Sequence, residues 1–280
     1  MAVFVMAKGK YELTEAKIRR WIKQGRGQGR GADYKPWITV RDVPSDGRSH
    51  RTFGHKTQRT HHLLSDLELA VFLMLEWHRD TQDIREQFPL DREVTRVLAA
   101  DAGIRHPKSG QILNVMSSDF LVNTRDAQQP KFALQAKYSK FLADAATVEK
   151  LELERRYWEE KSIPWMIVTE KEIPKVVFSN ILWLYPEQSN SQPQQSLLNK
   201  LSFYAHQMNE NPDLRVVDIA KKLDVAYSLE PGESLFEMRQ LLALRCFQFD
   251  VFTPYLQLKG RDLSVGNVAK MLEELNVSNQ

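Results

Sequence analysis

A run of residues that is apolar on nearly every side most constrains the fold of this chain. Residues 67–75 read Leu-Glu-Leu-Ala-Val-Phe-Leu-Met-Leu, and the surrounding sequence predicts a helix over residues 61–79. A helix that is apolar all round lies inside a protein, because no face of it suits water. The fold must therefore supply elements that cover this helix, and the helix carries one carboxylate, Glu68, into the interior.

Glu68 has two possible explanations. A buried carboxylate costs free energy unless it is paired or binds a metal, so Glu68 is a candidate ligand. The alternative is a capping box, because Ser65-Asp-Leu-Glu68 has the S-x-x-E pattern in which the glutamate reaches back to the serine amide. Taken alone, this residue favours the capping box.

The middle of the chain alternates between strands and helices. Residues 115–123 and 131–137 predict two strands, and the polar segment between them predicts the turn of a hairpin. Residues 147–161 predict a charged helix, and the apolar residues 163–169 predict a buried strand. This mixture indicates an α/β domain with a mixed sheet.

Three polar residues stand in the predicted hairpin. Asp119 lies in mid-strand, where aspartate is disfavoured unless the position is an edge or a bulge. Gln135 and Lys137 share one strand face because side chains alternate, and such a pair is usually no more than a polar face. Together with Glu68, however, the spacing Asp119-x15-Gln135-x-Lys137 matches the D-x(n)-(D/E)-x-K nuclease core, with glutamine in the acidic slot.

This combination of residue types suits phosphodiester hydrolysis. Hard cations take oxygen ligands, which Glu68, Asp119 and the weaker Gln135 amide would supply, with the Ala136 carbonyl as a further donor. Such cations activate the attacking water and stabilise charge on the leaving oxygen. Lys137 would position the water or offset phosphate charge.

The front of the chain is basic, although the net charge of the whole is only +3. Glycines at alternate positions from 25 to 31 interleave with this basic stretch, which would let backbone amides and guanidinium groups approach phosphates. A solvated loop that is basic by chance explains the same composition equally well. The basic residues include Lys17, Arg19, Arg20, Lys23, Arg26, Arg30, Lys35, Arg41, Arg48, Arg51, Lys56 and Arg59.

The rear of the chain predicts a mainly helical domain. A polar, linker-like segment over residues 186–196 precedes helices predicted at about 196–209, 214–223 and 233–246. The second and third of these have the spacing of a helix-turn-helix, and the residues that follow, to about 258, predict a short β wing. The expected architecture is winged-helix-like.

Several functional classes are excluded or disfavoured. The chain has no apolar run near the ~18 residues that a membrane helix needs. The single cysteine, Cys246, cannot form an internal disulfide and predicts a buried, inert thiol in a cytoplasmic protein. No phosphate-binding loop supports an ATPase, and the histidines lack the cysteines or the H-E-x-x-H pattern of a zinc site.

Six longer strings resemble one family, TnsA, the endonuclease subunit of heteromeric cut-and-paste transposases. The resemblance extends over most of the chain and is weaker in its rear half. The strings cover residues 26–30, 47–51, 63–73, 83–90, 116–122 and 151–158.

The resemblance implies a restriction-endonuclease-like catalytic domain over residues 1–171 and a partner- or DNA-docking domain over residues 172–280. It implies an active site of Glu68, Asp119, Gln135 and Lys137 with Mg²⁺, for which Mn²⁺ can substitute. The family cuts the 5′ strands at transposon ends in bacteria. A DDE-type recombinase subunit, TnsB, processes the 3′ ends, and an ATP-dependent regulator, TnsC, is expected on the C-terminal domain.

Two other functions fit the same residues less well. A catalytically silent DNA-binding adaptor would explain the basic front and the helical rear, but it needs no buried carboxylate near a lysine. A stand-alone restriction enzyme would be expected to carry a cluster of arginines for reading sequence, and none is evident in the rear domain.

Overall fold

The computed structural model describes residues 13–42, 48–189 and 193–266. The chain divides into two compact units, Met1–Ile173 and Pro174–Gln280. No helix in the described ranges is both long and apolar enough to cross a membrane.

A four-stranded mixed sheet forms the centre of the first unit. Its strands run in the order β3 (Thr81–Pro89), β6 (Ser117–Thr124), β7 (Lys131–Ala136) and β8 (Trp165–Val168). β6 pairs antiparallel with both β3 and β7, whereas β7 and β8 are parallel. A parallel pair needs a crossover connection, and helix α4 (Ala145–Glu160) supplies it.

Helices and two small hairpins complete this unit. The helices are α1 (Glu15–Lys23), the apolar α2 (Asp66–Trp77) and α3 (Arg92–Asp101). Strands β1 (His50–Gly54) and β2 (Arg59–Leu63) form one antiparallel hairpin. The two-residue strands β4 (Lys108–Ser109) and β5 (Ile112–Leu113) form the other.

The predicted mixed sheet and the predicted hairpin are confirmed. Two local predictions were wrong. The helix predicted to start at residue 61 starts at Asp66, because residues 59–63 form β2, whose side chains at 59, 61 and 63 are buried. Strand β3 was not predicted, because its sequence is largely polar. Ion pairs within the interior offset the charges of these groups, among them Arg59 with Glu86 of β3 and Arg85 with Asp83.

The second unit is mainly helical, as predicted. Its helices are α5 (Lys175–Leu184), α6 (Gln194–Glu210), α7 (Val216–Ala226) and α8 (Glu233–Ala243). α6 begins inside the segment predicted as a linker, of which residues 190–192 lie outside the described ranges. Asn180 is fully buried in this unit, where its amide binds the backbone of Val251, Thr253 and Tyr255.

The β wing predicted up to residue 258 has a different form. Strand β9 (Phe247–Gln248) pairs antiparallel with β10 (Ser264–Val265), whereas Tyr255–Gln257 form a single turn of 3-10 helix. The pairing strand thus lies beyond the predicted segment. Cys246 precedes β9 and is buried, as predicted, and burial raises the pKa of its thiol to about 12.

Candidate active site

The candidate site lies at the end of the β6–β7 pairing, where hydrogen bonds that involve side chains replace those between the two backbones. The last backbone pair at this end is Phe120 with Leu134. One residue further, the Asp119 amide donates to Gln135 Oε1 at 3.2 Å, and the Ala136 amide donates to Asp119 Oδ2 at 2.9 Å. Asp119 is thus held in the strand by groups that would otherwise continue the sheet, which explains how an aspartate is accommodated there.

Glu68 enters this region from the first turn of α2. Its carboxylate accepts from the Leu64 amide at 2.9 Å and from the Ser65 hydroxyl at 3.1 Å, while Ser65 Oγ accepts from the Glu68 amide at 3.0 Å. The residue therefore caps the helix, although it reaches the Leu64 amide and not that of Ser65. Capping and a place in the site are compatible, because Glu68 is only 6% exposed and also contacts a site residue.

That contact is with Gln87 of β3, which joins the two carboxylates. Gln87 Nε2 donates to Asp119 Oδ1 at 3.0 Å and to Glu68 Oε2 at 3.3 Å. Its Oε1 accepts from the Ser117 hydroxyl at 3.1 Å. Sequence reasoning missed Gln87 as a site residue, although it lies in one of the strings that carry the family resemblance, because no spacing links it to Glu68 or Asp119.

Both carboxylates are held in an environment that disfavours their charge. Burial raises the pKa of Glu68, and the nearby charge of Asp119 raises it further. Burial also raises the pKa of Asp119, against hydrogen bonds from the Ala136 amide and Gln87 and the charge of Lys137, which lower it. Two buried acids that share one neutral donor would be stabilised by a cation between them.

Lys137 lies next to this hydrogen-bonded group. Its amide donates to the Val168 carbonyl at 2.9 Å, so β8 fixes its backbone. Its ammonium lies 5.9 Å from the centre of the Phe141 ring. The structure thus joins Glu68, Asp119 and Gln135 through hydrogen bonds, whereas Lys137 acts on Asp119 through its charge.

A cavity of about 280 Å³ opens beside Gln135 and Lys137. The buried Glu154 of α4 lines it, and Glu154 Oε1 accepts from Ser118 Oγ at 2.6 Å and from Trp165 Nε1 at 2.8 Å. Lys150 also lines this cavity and is exposed. A buried carboxyl group and two lysines therefore line a space next to the predicted site.

The glycine-rich segment is built into the first unit. The Gly27 amide donates to Lys35 O at 2.6 Å, and the Gly31 amide donates to Asp83 Oδ1 at 3.1 Å. Arg26 is engaged internally, because it binds Asp42 at 2.7 Å and lies over the Trp21 ring. The exposed basic side chains of this region are Arg19, Arg20, Lys23, Arg30, Lys35, Arg41, Arg48 and Arg51.

The histidines form no metal centre within the described ranges, where no group of three or more His, Cys, Asp or Glu side chains could hold a metal. His61 serves a structural role instead. Its Nδ1 lies 2.8 Å from Glu86 Oε2, and its Nε2 lies 2.6 Å from Thr57 Oγ1. A metal at the candidate site would therefore use two carboxylates and other oxygen donors.

The first turn of α2 and the strand ends of a mixed sheet bring together two buried carboxylates, an amide oxygen and a neighbouring lysine, an arrangement that fits one class of protein, the endonucleases. Comparison with known protein families then identifies the family of endonucleases. Residues 78–170 match the model for the N-terminal domain of TnsA-like endonucleases, and residues 172–251 match that for the TnsA endonuclease C-terminal domain.

A curated relative agrees over nearly the whole length. The chain is 49% identical over 274 residues to the transposon Tn7 transposition protein TnsA of Escherichia coli. The aligned region covers 98% of this chain and all of that relative. The chain belongs to the TnsA family and is an endonuclease of transposition.

Proposed function

We propose that this endonuclease hydrolyses the 5′ strands at transposon ends with Mg²⁺ held by Glu68, Asp119 and Gln135. The observation that carries the proposal is the single hydrogen-bonded group in which Gln87 joins two buried carboxylates beside the Gln135 amide. Lys137 completes the set of four catalytic residues.

The donor set suits a hard divalent cation. Carboxylate and amide oxygens are ligands that Mg²⁺ accepts, and this ion commonly keeps several waters and binds through only one or two carboxylates. Glu68 and Asp119 supply that number, and Mn²⁺ would bind the same oxygens. When bound, the metal would activate water and neutralise charge that develops on the phosphate.

The remaining groups prepare the site for a phosphodiester. The Ala136 amide and Gln87 orient Asp119, so its carboxylate geometry is set before DNA arrives. The Lys137 ammonium lines the cavity beside Gln135, where it would hold a phosphate oxygen or orient a water. The exposed arginines of the basic front would contact the DNA backbone and position the strand.

We assign cleavage to a restriction-endonuclease-like domain over residues 1–171 and docking to residues 172–280. The division of the structure after Ile173 supports this assignment. A helix pair followed by the β9–β10 pairing supports a winged-helix-like character for the second domain. The proposed partners are transposon-end DNA, the recombinase TnsB and, on residues 172–280, the regulator TnsC, in the bacterial cytoplasm.

Strand-specific cleavage of a transposon-bearing plasmid tests the proposal. The reaction would contain the DDE recombinase and Mg²⁺, with wild type, Asp119→Asn and, as a matched control, Asp101→Asn at an exposed position at the end of α3. We expect 5′ cuts with wild type and the control, and none with Asp119→Asn or with EDTA. An absence of 5′ cuts by wild type, while the recombinase cuts the 3′ ends, would instead indicate a catalytically silent adaptor.

A further inference from the structure

The backbone of Gln87 adopts a conformation that the sheet alone does not explain. Its φ is +48°, in the left-handed region that residues with a side chain rarely adopt. Its neighbours Glu86 and Phe88 pair in register with Phe120 and Ser118, so Gln87 lies opposite Asp119 while leaving the extended conformation. Residues in such conformations persist where the surrounding structure fixes them, and they cluster at functional sites.

The surrounding structure fixes Gln87 from both sides. Its carbonyl accepts from the Trp37 amide at 3.1 Å. The preceding residue, Glu86, is fully buried and binds Arg59, His61 and the His62 amide. The uncommon backbone conformation is therefore imposed by a network in the interior, and it aims the Gln87 side chain at the two carboxylates.

The two carboxylates set the direction of the Gln87 amide, and a hydroxyl on its other side is compatible with that direction. Ser117 Oγ lies 3.1 Å from Gln87 Oε1 and donates to it, which leaves Nε2 facing Glu68 and Asp119. The reversed amide would point an oxygen at two carboxylates, so the hydrogen-bond network selects the donor orientation. The amide has two N–H groups, which is one for each carboxylate.

We propose that Gln87 is a positioning residue that holds Glu68 and Asp119 together in the metal-free protein and yields their oxygens when the metal binds. The inference rests on the metal site proposed above. Its amide N–H hydrogens carry partial positive charge, and the NH2 group donates to one oxygen of each acid, so it stands in for a cation there. A cation held by Glu68 and Asp119 would compete with the amide for their oxygens.

This role predicts an effect on metal affinity opposite to that of ordinary structural support. If Gln87 merely oriented the ligands, its loss would weaken metal binding because the carboxylates would be less well placed. If the amide occupies the position of the cation, its loss removes a competitor and tightens metal binding. The metal-free protein would lose stability at the same time, because two buried carboxylates would be left without their shared donor.

Calorimetric titration of the full-length protein with Mn²⁺, without DNA, separates these cases. Gln87→Met removes the amide at similar size, and Gln128→Met is the matched control in the exposed turn between β6 and β7. We expect Gln87→Met to bind Mn²⁺ about tenfold more tightly than wild type, which corresponds to one hydrogen bond to a charged group. Its melting temperature without metal should fall, and Mn²⁺ should raise it by more than in wild type.

A second variant covers the case in which Gln87→Met does not fold. Ser117→Ala frees the amide to rotate and should tighten Mn²⁺ binding by a smaller factor. Unchanged or weaker Mn²⁺ affinity in the folded variants would overturn the inference while leaving the metal centre intact, provided that wild type binds Mn²⁺ and Asp119→Asn does not. A wild-type protein with no saturable Mn²⁺ site would overturn both proposals.

Discussion

The buried Glu154 makes the stability of this protein depend on pH in a direction opposite to that of most carboxylates. Glu154 is 4% exposed and lies among Ser118, Trp158 and Trp165. Burial raises the pKa of its carboxyl to about 8, and the charge of Asp119 contributes in the same direction. The folded protein therefore keeps a proton that the unfolded chain releases near its ordinary value of 4.5.

The size of the effect follows from proton linkage. Because the unfolded state binds fewer protons between about pH 4.5 and 8, the free energy of unfolding falls as pH rises through this window. Each tenfold difference in proton affinity is equivalent to ~1.4 kcal/mol, so the whole window corresponds to at most roughly 5 kcal/mol. Relaxation of the interior would reduce this value, but even half of it is a large share of a typical stability of about 5–15 kcal/mol.

Glu154→Gln isolates this contribution. Glutamine keeps the oxygen that accepts from Ser118 and Trp165, and it cannot ionise. Urea unfolding at pH 5 and pH 8 would compare wild type, Glu154→Gln and the control Glu149→Gln, whose side chain is exposed on the same helix. We expect similar stabilities at pH 5 and a Glu154→Gln variant that is more stable by several kcal/mol at pH 8. Parallel pH profiles for wild type and Glu154→Gln would refute the reasoning.

Three further predictions concern the site, its support and the basic surface. Lys137→Ala should lower cleavage roughly 100-fold or more while leaving Mn²⁺ affinity unchanged, and unaltered turnover would remove Lys137 from the mechanism. Glu86→Gln should cost roughly 3–5 kcal/mol in urea unfolding, because it leaves Arg59 buried without a counter-charge. Burial raises the pKa of Glu86, but His61 and Arg59 lower it to about 2, so wild-type stability should fall as pH drops from about 4.5 to 2, a dependence that the variant should lack. Arg20→Ala should reduce the slope of log affinity against log salt by about 0.9 for each lost phosphate contact, as measured by anisotropy with duplex DNA, and an unchanged slope would place Arg20 outside the interface.

The elements with strong apolar patterning could be predicted from the sequence. Helix α2 and the β6–β7 hairpin bury apolar side chains, and the structure has both. Strand β8 is present, but the prediction that it is buried was wrong, because its side chains are only partly covered and Met166 is 41% exposed. The burial of Glu68 also followed from its apolar neighbours. Local pattern is informative here because the periodicity itself reflects the burial.

The elements stabilised by distant polar contacts could not be predicted. Strand β3 carries Asp83, Arg85 and Glu86 into the interior, and their partners lie elsewhere in the chain: Gly31 binds Asp83, Asn123 binds Arg85, and Arg59 binds Glu86. A polar string with such partners resembles a loop when it is considered alone.

Gln87 was missed for the same reason. Its position between the two carboxylates depends on a backbone conformation that Glu86 and Trp37 help to fix, and no spacing in the sequence encodes this conformation.

The parallel pairing of β7 with β8 has a consequence for the order in which the protein is made. Synthesis runs from the N-terminus, and domains generally fold as units while it proceeds. A nascent chain that ends before Trp165 already contains all four proposed catalytic residues, but it lacks the strand that pairs with β7 and the Val168 carbonyl that holds the Lys137 backbone. The proposed site is therefore complete only after residues 165–168, the last strand of the first unit, have been made.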